Sequence, residues 1–528
     1  MPKTKINTIL LCTLFTLFFP LSAGAQYRNP ILYADVPDMS VCRAGDYFYM
    51  VSTTMHLMPG APIMRSPDMK HWETISYVFS RIDDGPRYDL LEGTAYGQGQ
   101  WASSIRYHDG KFYVWFTANG APGRGFVYTA TDPTGPWKLL SRPPHFHDGS
   151  LLFDDDGRVY LFHSTGHLTE LKPDLTDVLP GGINQQIFER DADEQGLLEG
   201  SSVIKHNGKY YLLMISWPKE GHRRQVCYRA DKITGPYEKR VILDDAFNGF
   251  PYVGQGTIVD DAKGNWYGVI FQDRGGVGRV LTLMPCRWEN GWPMLGDKKG
   301  CVPKIMEKPI QGCPPVPLVV SDDFSDKEMK MNWQWNHNPV NDAWSLSERP
   351  GYLRLKTNRI VDNLYAAPNT LTQRMEGPKC SGVIVLDTSH MKEGDVAGFS
   401  AFNGHSGLLS VIADGNKKYL TMNTNIVDLR NSDKAILGVE KSEKERVELK
   451  QNRIYLRIDG DFRLGQDIAT FYYSFDNKAW KKIGTDFKMR FDYMKLFMGT
   501  KFALFNYATK ELGGYVDIDF FHYTKDGK

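Results

Sequence analysis

Apolar and polar positions alternate in short runs through the first half of the chain, each run broken by Gly, Asp or Asn. That pattern predicts half-buried strands joined by tight turns. Five segments repeat one form, a turn residue followed by aromatic or β-branched residues. They are Asp46-Tyr47-Phe48-Tyr49, Gly110-Lys111-Phe112-Tyr113, Gly157-Arg158-Val159-Tyr160, Gly208-Lys209-Tyr210-Tyr211 and Gly264-Asn265-Trp266-Tyr267. Each follows another apolar strand, at Ser40-Val41, Ser104-Ile105, Leu151-Leu152, Ser202-Val203 and Thr257-Ile258, across a polar or glycine turn. Such pairs predict hairpins. Further landmarks recur beyond them at Trp72, Trp137, Tyr237 and Trp292. The repeat runs at roughly 45 to 65 residues, and five antiparallel units of that size predict a five-bladed β-propeller. A sandwich with long insertions would not explain five recurrences.

In a propeller the first strand of each blade lines the channel, and its first residue sits near one mouth. Nine residues before the four turn glycines stand Trp101, Asp148, Glu199 and Gln255; eight before Asp46 stands Asp38. Each acid alone reads as an ordinary turn residue. Their recurrence at one equivalent place predicts three carboxylates converging on one pocket. Carboxylates so gathered repel one another and serve acid/base chemistry or a cation.

A Pro-rich stretch then marks a linker at residues 309–321, dividing a propeller at 27–308 from residues 322–528. Alternation resumes there without the repeat, at Tyr352–Leu355, Ser381–Leu386, Arg453–Ile458 and Thr470–Ser474, and predicts a β-sandwich. The fold class is therefore all-β. Residues 1–25 read as a signal peptide, with Lys3 and Lys5 before an apolar run from Ile9 to Leu21 and a small-residue cleavage site at Ala23-Gly24-Ala25. The run is short for a membrane anchor, so the expectation is an exported protein, periplasmic or extracellular, with no span after cleavage. Net charge is +1, which offers nucleic acid no basic field. The cysteines show no CxxC or zinc spacing; Cys301 and Cys313 are a candidate pair that sequence alone leaves open.

Five motifs, in order, carry a resemblance: Asn29-Pro30-Ile31-Leu32 with Asp35-Val36-Pro37-Asp38; Trp101-Ala102-Ser103-Ser104; His147-Asp148-Gly149-Ser150; Glu199-Gly200-Ser201-Ser202; and Phe271-Gln272-Asp273-Arg274-Gly275 with Gly278-Arg279. Together they resemble glycoside hydrolase family 43, a family of five-bladed, inverting enzymes. The resemblance implies Asp38 as general base, Glu199 as general acid and Asp148 as the acid's pKa modulator. Inversion needs one carboxylate and one carboxylic acid with a water between. Asp35, three residues from Asp38, is the alternative base. The resemblance places Arg279 at the pocket floor, His56 at a subsite wall, and Trp217, His222 and Arg223 in a facing loop. Trp101 either stacks on sugar or packs between blades, and Gln255 is a further candidate substrate contact. The chain departs from the family at Met39, at Ser201, and at Gly254, where many members carry a histidine that helps hold a channel metal.

The second half, from Trp333-Gln334-Trp335 through Trp344 to Tyr515–Phe521, resembles the concanavalin-like sandwich of family 43 xylosidases. In such relatives it packs on the propeller and sometimes narrows the mouth. Asp322, Asp323 and Asp519 are candidate ligands for a structural calcium, the metal expectation resting on Asp323 and Asp519. No cofactor is expected to be required. The expected function is exo-acting release of xylose or arabinose, by a β-xylosidase or α-L-arabinofuranosidase, from an oligosaccharide or polysaccharide substrate. Alternatives are the same mechanism on arabinan or galactan side chains and a non-catalytic carbohydrate-binding propeller. A retaining sucrose- or fructan-cleaving propeller would need nucleophile and acid motifs that Asp38 and Glu199 do not show.

Overall fold

The computed structural model describes residues 26–120, 123–307 and 314–526. The leader-like segment 1–25 and Cys313 lie outside the described residues, and the five described cysteines, Cys301 among them, are free thiols. No helix among the described residues is long and apolar enough to cross a membrane.

The first half forms five four-stranded antiparallel sheets, each with its strands in chain order. Their innermost strands are Ser40–Ala44, Gly99–His108, Ser150–Phe153, Glu194–His206 and Val253–Asp260, in blades 1 to 5. Each touches the next, and the fifth touches the first, so the ring closes. The repeated turn segments explain why. Phe48, Phe112, Tyr160, Tyr211 and Tyr267 are all buried in the blade cores. Each of the two phenylalanines stabilises the fold by roughly 1.5–3 kcal/mol. Gly110 and Gly208 both adopt φ of 75°, the left-handed backbone these hairpin turns require. At the seam, Gln26–Arg28 pairs with Ile305–Glu307, and Asn29 donates Nδ2–H bonds to the carbonyls of Leu283 and Pro303.

Arg106 braces the channel. From blade 2 its guanidinium reaches Ser40 of blade 1 (3.3 Å), Ser150 of blade 3 (2.9 Å) and the Val203 carbonyl of blade 4 (3.1 Å). A cavity of about 20 Å³ lies in the channel, lined by Asp38, Ser40, Ser103, Asp148, Ser202 and Gln255. That is room for a water or two, not for a sugar.

The second half packs two eight-stranded sheets face to face. Strands expected at Ser381–Leu386, Arg453–Ile458 and Thr470–Ser474 lie within Lys379–Asp387, Arg453–Asp461 and Ile468–Ser474. Trp333 and Trp335 are buried in the sandwich core, where a sugar cannot reach them. Across the division at residue 322 the two halves share a sheet edge. One sandwich sheet ends on Gln334–Asn336 and then on Leu57–Met58, a strand lent by blade 1. Leu318 packs in a propeller core while its neighbour Val319 packs in the sandwich core, so the end of the expected linker is anchored to both.

Candidate active site

Local backbone breaks aim the channel-mouth residues. Asp38, Asp148 and Gln255 adopt left-handed φ of 50°, 51° and 67°, a region costly for residues with a Cβ. In blades 2, 4 and 5 the strand register shifts between Gln100 and Ser103, Glu199 and Ser202, and Val253 and Gly256. Such bulges redirect side chains, here at Trp101, Glu199 and Gln255. Gly200 is obligatory beside Glu199: its φ is 72°, and a Cβ there would come within 2.7 Å of the Gln255 side chain.

The three carboxylates do gather. Asp38 and Asp148 each feel the charge of Glu199, and Asp148 that of Asp38. Asp38 receives Arg279 Nη1 at 3.2 Å on both carboxylate oxygens. Burial pushes the Asp38 pKa up while the Arg279 guanidinium opposes the shift. Asp148 accepts the Gly200 N–H at 3.0 Å, and burial is the largest cause pushing it up to about 7.

Asp35 takes a different place. Its Oδ1 accepts the Arg279 N–H and its Oδ2 the Gly499 N–H, both at 2.9 Å. With both oxygens bound to main-chain donors, it joins blade 5 to a sandwich loop. Gly278 makes room for it, since a Cβ would lie 2.4 Å from Asp35 Oδ1.

That sandwich loop roofs the pocket. Phe497 lies 4.6 Å from the Arg279 guanidinium and 5.6 Å from the Trp101 ring, and its carbonyl accepts Arg279 Nη2–H at 3.1 Å. Asn403 pins the loop through the Met498 carbonyl at 2.7 Å. Trp101 is half-buried beneath it, its indole N–H bonded to the Gly97 carbonyl at 3.1 Å. On the opposite flank, Arg223 forms an ion pair with Asp273 and lies 6.0 Å from the Trp217 ring and 5.2 Å from the Tyr252 ring. Burial, with Arg279 nearby, lowers the Arg223 pKa to about 10. His222 is exposed.

Sequence reasoning singled out Asp148 and passed over its neighbour. His147 Nε2 stands 3.2 Å from Glu199 Oε2 and 3.6 Å from Asp148 Oδ2. The Asp148 charge is the main cause raising the His147 pKa to about 9. The signal was present, a histidine beside a pocket acid, but its partner lies on another blade. Phe497 left no such signal.

Two expectations are corrected. His56 does not wall a subsite: it is 0% exposed, donating Nε2–H to Asn336 at 3.1 Å and packed against Tyr96 and His337 where propeller meets sandwich. Its loop lends a strand to the sandwich, which draws the histidine inward. The calcium ligands do not assemble either. Asp519 is ion-paired with Arg453, and Asp323 binds the Ser325 N–H and hydroxyl within its own turn. Among the described residues, metal-like spacing of three donors occurs at His147, Asp148 and Glu199 and at Asp191, Asp193 and Glu194. The first group is already hydrogen-bonded internally, and the second is neutralised by Lys239 and Arg224.

Both halves of the chain match known families. Residues 27–293 match the family described as glycosyl hydrolases family 43, and residues 321–524 the β-xylosidase C-terminal concanavalin A-like domain. The chain belongs to glycoside hydrolase family 43. It thus hydrolyses glycosidic bonds with inversion. A β-xylosidase of Formosa agariphila is 30% identical over 95% of this chain and 90% of its own. A non-reducing-end α-L-arabinofuranosidase of Bacteroides ovatus is 30% identical over 67% of this chain and 69% of its own. The solved structure of a bifunctional GH43-CE protein of Bacteroides eggerthii is 42% identical and superposes with a TM-score of 0.86 over 94% of this chain. The present chain spans 63% of that longer protein.

Proposed function

We propose that this family 43 hydrolase removes single xylose or arabinose units from the ends of plant cell-wall polysaccharide fragments. The three acids gathered at the propeller mouth beneath the sandwich loop carry this proposal. Beside Asp38 and Asp148 the channel holds only a water-sized cavity, and Phe497 packs on Arg279 and Trp101. A loop packed over the acids favours a chain end over the middle of a polymer. The names of the two relatives support a pentose, and the β-xylosidase aligns along both domains.

Asp38 acts as the base. Arg279 holds both of its oxygens and favours the anion that takes a proton from the attacking water. Glu199 protonates the departing glycosidic oxygen. Asp148, buried and tied to the Gly200 N–H, holds the segment that carries Glu199 and sets the local charge. Carboxyl groups supply both proton transfers, so the reaction requires no cofactor. The leader-like residues 1–25 support export to the periplasm or medium, where such fragments are found.

The test is hydrolysis of aryl β-D-xyloside and aryl α-L-arabinofuranoside by the purified mature protein, with Asp38→Asn as control. Activity on either that disappears in the variant supports the proposal and names the sugar. Activity on neither, or activity that survives in Asp38→Asn, overturns it.

A further inference from the structure

An inverting cycle leaves its acid spent. Once the leaving group departs, Glu199 is a carboxylate and Asp38 has gained a proton from water, so the next turnover needs Glu199 reprotonated. Among the described residues, the Glu199 side chain has one hydrogen-bond partner, His147, at 3.2 Å. His147 is itself 31% exposed, so one part of the ring meets solvent while Nε2 meets the acid. Its ring lies 5.8 Å from that of Trp101, tilted by 56°.

We propose that His147 is a positioning residue that reloads the general acid, its imidazolium holding the spent Glu199 carboxylate and returning a proton through the Nε2···Oε2 hydrogen bond. This inference rests on the proposed hydrolase mechanism. The step balances. The Nε2–H bond breaks and a Glu199 O–H bond forms, leaving neutral imidazole and a carboxylic acid. Imidazole then recovers a proton from solvent, and Asp38 returns the one it gained from water.

The surroundings suit a proton store. Asp148 at 3.6 Å and Glu199 at 3.2 Å are the nearest charges, with Asp38 across the pocket. All three favour the imidazolium, whose pKa rises to about 9, so His147 is charged at neutral pH. On the far side His145 and His163 oppose it, but burial lowers the pKa of both and keeps them neutral. Arg279 is bound to Asp38 and Arg223 to Asp273, so the cations facing the pocket are neutralised locally. His147 therefore carries its proton at neutral pH with Nε2 3.2 Å from Glu199 Oε2.

The experiment compares wild type with His147→Asn and His147→Gln, on whichever sugar the enzyme accepts, using an unactivated disaccharide and a 2,4-dinitrophenyl glycoside. Thermal melts identify variants that fold. Dinitrophenolate leaves with little protonation, so its release hardly depends on the acid. Expected is a fall in kcat of about 10- to 100-fold on the disaccharide, against about threefold or less on the dinitrophenyl glycoside. The alkaline limb of the disaccharide profile should also move to lower pH, because the imidazolium that returns the proton is then missing. Equal losses on both substrates with the limb unmoved would assign His147 a packing role and overturn the inference, as would wild-type kinetics in both variants. An inactive wild type would overturn the hydrolase proposal, and this inference with it.

Discussion

Truncating Phe497 to alanine removes the roof of the pocket and leaves its main chain in place. The ring stands 4.6 Å from the Arg279 guanidinium and 5.6 Å from the Trp101 ring. A largely desolvated cation–π contact contributes about 1–2 kcal/mol. An edge-on aromatic pair adds about 0.5–1.5 kcal/mol. Arg279 keeps two other ring neighbours, Phe271 at 5.7 Å and Phe491 at 5.6 Å, so part of this is retained. These contacts exist in the free enzyme and reach the transition state only by holding Arg279 and Trp101 for the sugar, so about 1.5–2.5 kcal/mol is the ceiling and kcat/KM falls by up to about 10- to 70-fold. The Phe497 carbonyl still accepts Arg279 Nη2–H, and Asn403 still pins the loop. Tm should therefore move by less than about 3 °C. Steady-state kinetics on an aryl glycoside, beside a thermal melt, check both numbers. A kcat/KM within about threefold of wild type, with the melt unchanged, would refute the ring as a working wall. A fall in Tm of more than about 6 °C would show that the ring serves loop packing instead.

Three further predictions concern the base, the seam and the shared sheet. Asp38→Asn should fold and lose turnover by about a thousandfold or more, while Asp35→Asn should loosen the Gly499 loop and lose less than about 30-fold; the reverse ranking would move the base to Asp35. The seam's share of stability in urea, read as wild type minus His56→Asn, should fall as pH drops from 7 to 4.5, and a difference that stays level would contradict the buried seam. The sign follows from His56, lowered by burial to about 3, and His337, lowered well below its ordinary value. Both have folded pKa values below their unfolded ones, so the unfolded chain takes up protons the seam refuses, and stability present above about pH 6.5 is lost below it. Residues 26–307 expressed alone should aggregate or be inactive, because Leu57–Met58 loses its partner strand and the pocket its roof; a soluble propeller with full activity would sink the idea.

The hairpin repeat and the three acids were legible because both follow from local chemistry. Turn glycines and alternating aromatics report strands within a few residues, and equivalent counting places Asp38, Asp148 and Glu199 at one mouth. The counting could not distinguish Asp35 from Asp38. That depended on which carboxyl meets two main-chain N–H groups, one of them on a loop more than four hundred residues away. His56 was misplaced for a similar reason: its loop looks like a pocket rim in one dimension and is a sandwich strand in three.

Sequence by itself determined the blades, the sandwich strands, the acids and the family, since periodicity, turn chemistry and motif order are properties of short stretches of chain. Tertiary structure alone decided the roof at Phe497, the brace at Arg106, the role of Asp35 and the pairing of His147 with Glu199. Each of these joins residues from different blades or from different halves of the chain. Their energies depend on distance and burial, and neither exists until the ring closes and the sandwich docks upon it.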